Sequence, residues 1–138
     1  MRLSAILCAA LCLALLVSCG DPLADMKKTS SVAIPDQPAA EKVVEDALAA
    51  LAANDPKALF RCFSIKDYME FEILYSESLF KNGDFAPAKM TSIEGVDVQG
   101  RTVVRATVRS ERRKRDYLFS LSRKNGKYGI TTIAEKGK

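Results

Sequence analysis

Histidine and tryptophan are absent from this chain. Without histidine there is no His-based triad, no imidazole base near neutral pH and no imidazole ligand for zinc. Cysteine is scarce where a fold could use it. Cys8, Cys12 and Cys19 fall within the first 19 residues, and Cys62 is the single one beyond them. No intramolecular disulfide can therefore form in the body of the chain. In an oxidising compartment a lone thiol is best buried. Long apolar runs are missing too. The run between Arg2 and Cys19 is shorter than the about 20 residues that a membrane-spanning helix requires.

That run nevertheless has the parts of a secretory signal. Arg2 is a short positive region, Leu3 to Val17 are largely apolar, and Ser18 is the small residue before a cut. It ends Leu16-Val17-Ser18-Cys19, which resembles the bacterial lipoprotein lipobox. The resemblance implies cleavage between Ser18 and Cys19, a diacylglycerol on the Cys19 thiol, and acylation of its amine. Each buried methylene contributes about 0.8 kcal/mol and one chain alone binds marginally, so two or three chains would hold the protein stably. The same resemblance implies a periplasm-facing, lipid-anchored protein of the cell envelope. Gly20, rather than Asp, after the lipidated residue favours the outer membrane where two membranes exist.

Residues 1–19 are thus read as the signal, 20–36 as a linker and 37–138 as one domain. The 119 residues that follow Cys19 suit a single core. Gly20 to Gln37 has Ser, Thr, Pro and Asp with few large apolar residues. As a coil it spans roughly 23 Å on average. The net charge of +4 conceals a division. Residues 20–88 carry 7 Lys/Arg and 12 Asp/Glu, whereas residues 89–138 carry 13 Lys/Arg and 5 Asp/Glu. A basic second half points to contact with anionic surfaces rather than to a fold or a reaction.

Pro38 to Ala53 reads as a helix. Ala40, Val43, Val44, Ala47, Leu48 and Leu51 follow one helical face, Asp36 or Gln37 can cap it, and Asn54 suits a left-handed stop. Asp55-Pro56 starts a second helix over Lys57 to Phe63. Ser64 with Asp67 looks like a third start, for a helix over Ile65 to Lys81 that takes Met69, Ile73 and Leu74 among its apolar supply. The period then changes to two. Met90–Val98, Arg101–Glu111, Arg115–Arg123 and Lys127–Ala134 read as four strands. Gln99-Gly100 and Asn125-Gly126 are tight turns. Pairing outward from them sets Glu94 opposite Arg105, Leu121 opposite Ile130 and Phe119 opposite Thr132. It also groups Thr91, Ile93, Val104, Ala106 and Val108 on one face. The fold class is α+β, three helices on one side of an antiparallel sheet.

Three helices before a meander of strands resembles the NTF2-like superfamily. The opening Pro38-Ala-Ala-Glu-Lys-Val-Val, and Asn54-Asp55-Pro56-Lys57-Ala58-Leu59 after it, resemble small bacterial lipoproteins of that group. The likeness implies a cone in which a curved four-stranded sheet wraps a long helix. Some members are isomerases or dehydratases that use Asp, His and Tyr in the cone. Tyr68, Tyr75 and Asp97 are the candidate pocket residues here, and they would carry the enzyme alternative. No catalytic motif is recognisable, and no metal site or cofactor is called for.

Arg112-Arg113-Lys114-Arg115 forms a cationic tip between strands, a candidate contact for anionic lipid or envelope polymer. Each basic residue close to an anionic membrane contributes about 1 kcal/mol. Cys62, between Arg61 and Phe63 and without a histidine partner, reads as packing rather than a nucleophile. Aromatics are not interleaved with the charges as nucleic acid would require. The function expected is a non-catalytic binding or accessory module tethered to a membrane. A protein partner or a homodimer, including a purely structural dimerisation domain, stays open.

Overall fold

A computed structural model describes residues 31–137. Ser18, Cys19 and all but the last residues of the expected linker lie outside them. The described chain is α+β. Its elements are β1 (Ser31–Val32), α1 (Gln37–Ala52), α2 (Pro56–Arg61), α3 (Tyr68–Phe71), a π turn over Glu72–Ser76, α4 (Glu77–Phe80), β2 (Ala88–Val98), β3 (Arg101–Ser110), β4 (Arg115–Lys124) and β5 (Lys127–Glu135). The strands form one antiparallel sheet in the order β1-β2-β3-β4-β5. The sheet has five strands where four were expected.

The additional strand lies inside the stretch read as linker. Ser31 pairs with Val96 and Val32 with Gly95. Glycine is required there, because a Cβ on Gly95 would stand 2.6 Å from the Val32 carbonyl oxygen. Ile34 then packs against the core, and the Tyr128 hydroxyl donates to the Pro35 carbonyl. Among the described residues the sheet therefore takes in Ser31 and Val32, ahead of Gln37.

Helix α1 buries Ala40, Val44, Ala47, Ala50 and Leu51, while Val43 and Leu48 are half-buried beside them. Asp36 occupies its N-cap in a left-handed conformation without a side-chain bond, and Pro38 fills the first turn. Asn54 is left-handed at the stop, as its residue type favours. Asp55 caps α2 by accepting from the Ala58 N–H at 3.2 Å.

The third helix begins later than the Ser64–Asp67 pattern suggests. Ser64 is drawn to β5 instead, where both its N–H and its hydroxyl donate to the Ile130 carbonyl. Asp67 caps α3, accepting from the Met69 N–H at 2.9 Å. The five-residue π turn between α3 and α4 keeps Phe71 and Leu79 buried and Tyr75 against the core. Met69, Ile73 and Leu74 are left exposed, which corrects their assignment to the core. In an unbroken helix Leu74 would follow Phe71 on the buried face, and the wider turn rotates it out.

Both tight turns have two successive residues at positive φ, Gln99-Gly100 and Asn125-Gly126, which matches the twist of the strands they join. Glu94 stands opposite Arg105 and Leu121 opposite Ile130, as pairing from those turns requires. Two register shifts alter the rest. One at Met90/Ser92 lets Met90 face Val108 and leaves Thr91 exposed, its hydroxyl donating to the Thr107 carbonyl. The other, at Ser120/Leu121, sets Phe119 opposite Ile133 rather than Thr132. Each change replaces a threonine by an apolar neighbour on the buried face, the outcome that burial favours.

The core is the helix faces set against Val104, Ala106, Val108, Tyr117, Phe119, Leu121 and Ile130. Helix α1 touches both β2 and β5, the strands on either side of the central pair. The outer edge of β5 is covered near Ile130, whose N–H donates to the Cys62 carbonyl. On the other side β1 covers the edge of β2 at Gly95 and Val96.

Candidate functional site

The turn joining β3 to β4 places the four basic residues of the tip very differently. Arg112 and Lys114 are exposed, with Lys114 at φ 55°. Arg113 folds inward and is 15% exposed. Its Nε lies 2.7 Å from Asp84 Oδ1, one terminal nitrogen donates to the Tyr117 hydroxyl at 3.1 Å, and the other reaches the Leu79 carbonyl at 3.5 Å. The guanidinium also lies over the Phe85 ring, 5.4 Å from its centroid. Burial lowers its pKa, but the bonds with Tyr117 and Asp84 outweigh that effect and the net shift is upward. Arg115 donates to both oxygens of Glu135, at 3.0 and 3.2 Å. Of the four residues of the tip, Arg113 is a structural tie, Arg115 is paired with Glu135 across the strands, and Arg112 and Lys114 stay exposed.

Those pairs line a concavity of about 550 Å³ with Ser78, Asn82, Tyr117 and Ile133. Cations and carboxylates there already satisfy one another. A ligand would have to displace Asp84 from Arg113 or Glu135 from Arg115 before it could use either guanidinium. The arrangement holds the tip to the chain that follows α4 and offers little for capture of an ion.

Tyr68 and Tyr75 belong to an aromatic cluster. Tyr68 stands edge-on to Phe60 with ring centroids 5.2 Å apart, and Tyr75 lies 4.9 Å from Phe63. Burial raises the Tyr75 pKa, and a hydrogen bond from the Ile133 backbone N–H partly opposes this. Asp97 is exposed on β2, opposite Thr102. Tyr75 abuts β5 while Asp97 is on β2, with β3 and β4 between them. At about 4.8 Å per strand, that is roughly 14 Å across the sheet. The two tyrosines are brought together and the carboxylate is not. None of the three lines the concavity beside Arg113.

Cys62 is half-buried, and its S–H points at the Ala58 carbonyl 3.6 Å away. It lines a small groove with Val43, Asp46, Ala58 and Arg61. Burial first, and Asp46 second, push its pKa up to about 11, against the opposing influence of Lys42 and Arg61. The thiolate that nucleophilic chemistry requires is therefore scarce at neutral pH. Among the described residues no group of three or more His, Cys, Asp or Glu side chains is arranged to hold a metal ion.

Free cationic charge gathers elsewhere. A groove of about 850 Å³ is lined by Pro35, Arg101, Thr102, Val103, Ser122, Arg123, Lys124 and Thr131. The β2–β3 turn delivers Arg101, and the β4–β5 turn delivers Arg123 and Lys124. Pro35 closes one side, fixed by its bond from Tyr128. Arg101, Arg123 and Lys124 form no ion pair among the described residues. Arg123 lies over the Tyr128 ring at 5.9 Å. Among the described residues no carboxylate lines the groove. Asp36 follows Pro35 in the chain and Asp97 neighbours Thr102 across the ladder, so both stand at its margins. Three hydroxyl side chains, on Thr102, Ser122 and Thr131, supply neutral hydrogen-bonding groups.

Reading the sequence singled out the contiguous run at 112–115 and missed this groove. Its members are 22 residues apart and meet only because the antiparallel hairpins return β4 beside the start of β3. The signal available was the placement of basic residues next to both tight turns, Arg101 after Gly100 and Lys124 before Asn125.

No protein-family model matches the chain, and no curated protein matches it.

Proposed function

We propose that this protein is a lipid-anchored component of a bacterial cell envelope. Its NTF2-like domain acts as a non-catalytic binding module for phosphate-bearing surfaces. The anchor rests on Leu16-Val17-Ser18-Cys19. The NTF2-like reading rests on three helical segments ahead of an antiparallel meander, with α1 laid from β2 to β5. One observation carries the binding function: among the described residues, Arg101, Arg123 and Lys124 converge on a groove without an ion pair and with no carboxylate in its lining. Charge left without an internal partner can be matched by phosphate oxygens, and arginine does so in bidentate fashion. A membrane tether holds the domain at high local concentration over such a surface, so weak contacts suffice.

The test uses the full chain carrying Cys19→Ser, to remove the anchor, and vesicles with and without anionic phospholipid. The chain should bind the anionic vesicles alone, less strongly as salt rises past about 0.15 M. Binding should be flat between pH 5 and 8, since no histidine is present to titrate. Arg101→Ser/Arg123→Ser/Lys124→Ser should lose most of it, and Arg112→Ser/Lys114→Ser much less. Competition by a soluble polyphosphate would place the natural ligand among phosphate-rich envelope polymers. If the triple variant binds as the parent does, the groove is not the site. In the unaltered chain, salt-resistant membrane attachment should depend on Cys19, and unchanged salt-resistant attachment of a normally cleaved Cys19→Ser chain would defeat the lipoprotein reading.

A further inference from the structure

The outer face of α3 and the π turn presents apolar side chains that the described fold does not use. Ile73 is 78% exposed, Met69 70% and Leu74 52%. Lone exposed apolar residues are ordinary, but three large ones within six positions on one helical surface are a recognition feature. The π turn creates the cluster. It keeps Phe71 and Tyr75 on the aromatic core, so Ile73 and Leu74 turn outward together. Turns of this kind recur at functional sites.

The charges around the cluster restrict what can cover it. Glu70 and Glu72 are exposed and have no ion pair among the described residues. Glu77 is different, since it is engaged by Lys81 at 3.2 Å, and Asp67 is engaged by the Met69 N–H. A second copy docking through the same face would bring Glu70 and Glu72 against their own counterparts. An anionic bilayer would repel them as well. A covering surface with apolar side chains between cations meets neither obstacle and neutralises both carboxylates.

We propose that Met69, Ile73 and Leu74 form a docking face for a cationic amphipathic segment of another protein. Its apolar residues would lie over Ile73 and Met69, and its Lys or Arg side chains would meet Glu70 and Glu72. Recognition of an amphipathic helix through regularly spaced apolar anchors has this form. The inference does not depend on the basic groove, which draws its residues from the strand ends.

The experiment uses the full chain carrying Cys19→Ser and two fluorescent peptides of about 14 residues, one of Leu and Lys and one of Leu and Glu in the same amphipathic pattern. The Leu/Lys peptide should bind. Met69→Ser/Ile73→Ser should weaken it about tenfold. Both positions are exposed, so the circular dichroism spectrum should not change. Glu70→Gln/Glu72→Gln should weaken binding by a smaller factor and flatten its salt dependence. Equal binding of the Leu/Glu peptide, or of the Leu/Lys peptide to the Met69→Ser/Ile73→Ser variant, would overturn the proposal. So would a dimer in sedimentation that this variant abolishes, which would make a second copy the occupant. Loss of vesicle binding in the same variant would assign the face to lipid and overturn it equally.

Discussion

Arg113 and Asp84 are 29 residues apart in the chain, and the guanidinium Nε sits 2.7 Å from the carboxylate. The pair ties the β3–β4 turn to the segment that leaves α4. Its terminal nitrogens donate to Tyr117 and Leu79, so a single side chain joins three parts of the fold. Arg113→Ala strands a half-buried carboxylate and a buried tyrosine hydroxyl. The expected loss is about 2 kcal/mol, between the values for exposed and fully buried pairs. Urea unfolding of Arg113→Ala, Asp84→Ala and the double variant should give a coupling of about 1 kcal/mol. Arg112→Ala in the same turn should leave the midpoint unchanged.

A second prediction concerns Gly95. Gly95→Ala puts a methyl group against the Val32 carbonyl, at a separation that real Cβ atoms do not show. Either β1 moves off β2 or the sheet shifts, at a cost of about 1–3 kcal/mol. Amide exchange should rise first along the β1–β2 pair, and β3–β4 should keep its protection. Uniform loss of protection, or none, would mean that β1 does not depend on this close approach.

A third prediction follows from the Cys62 thiol. Its pKa is raised from 9.0 in the ordinary state to about 11 in the fold, chiefly by burial. A raised value means that the folded protein holds its proton over a range where the unfolded chain has lost it. The stabilisation is therefore present in full below about pH 9 and is lost as pH rises through about 11. Tyr75 and Tyr128 are also raised, so they add to the same alkaline decline. Comparing the parent with Cys62→Ala isolates the thiol: the variant should show a shallower fall in stability above pH 9. At pH 8 a thiol reagent should label the native chain far more slowly than the urea-unfolded one. Rapid native labelling would return Cys62 to the list of reactive groups.

The sequence made the hairpins legible because their determinants are local. Asn125-Gly126 fixes Leu121 against Ile130, and Gln99-Gly100 fixes Glu94 against Arg105, with no reference to the rest of the fold. Further out, each strand meets a pair of adjacent residues either of which could point inward. Met90 displaces Thr91, and Ile133 displaces Thr132, because apolar side chains outcompete hydroxyls for the same buried space. That competition is settled by tertiary packing, which periodicity does not contain. The third helix shows the same limit. Ser64 and Asp67 have the spacing of a capping box, but Ser64 finds a better partner in the Ile130 carbonyl, 66 residues away.

The candidate sites divide along the same line. The tyrosines could be placed on one helix from spacing alone, and they do lie together. Their distance from Asp97 is a property of strand order. The run at 112–115 looked like one feature because its charges are contiguous, whereas a tight turn sends neighbours in opposite directions. Arg113 went inward toward Asp84 and Tyr117. The groove at Arg101, Arg123 and Lys124 has no contiguous signature at all.

The way the chain enters the fold has a mechanical consequence. Any load transmitted from residues before Ser31 arrives first at a strand with only two paired positions, Ser31 with Val96 and Val32 with Gly95. So short a strand yields to modest tension. The next point of resistance is the clasp between the Tyr128 hydroxyl and the Pro35 carbonyl, followed by α1. Peeling β1 away would release a few residues and bare the edge of β2, while the helices and the hairpins remained packed. The entry segment would then behave as a fuse that gives way under strain before the domain does.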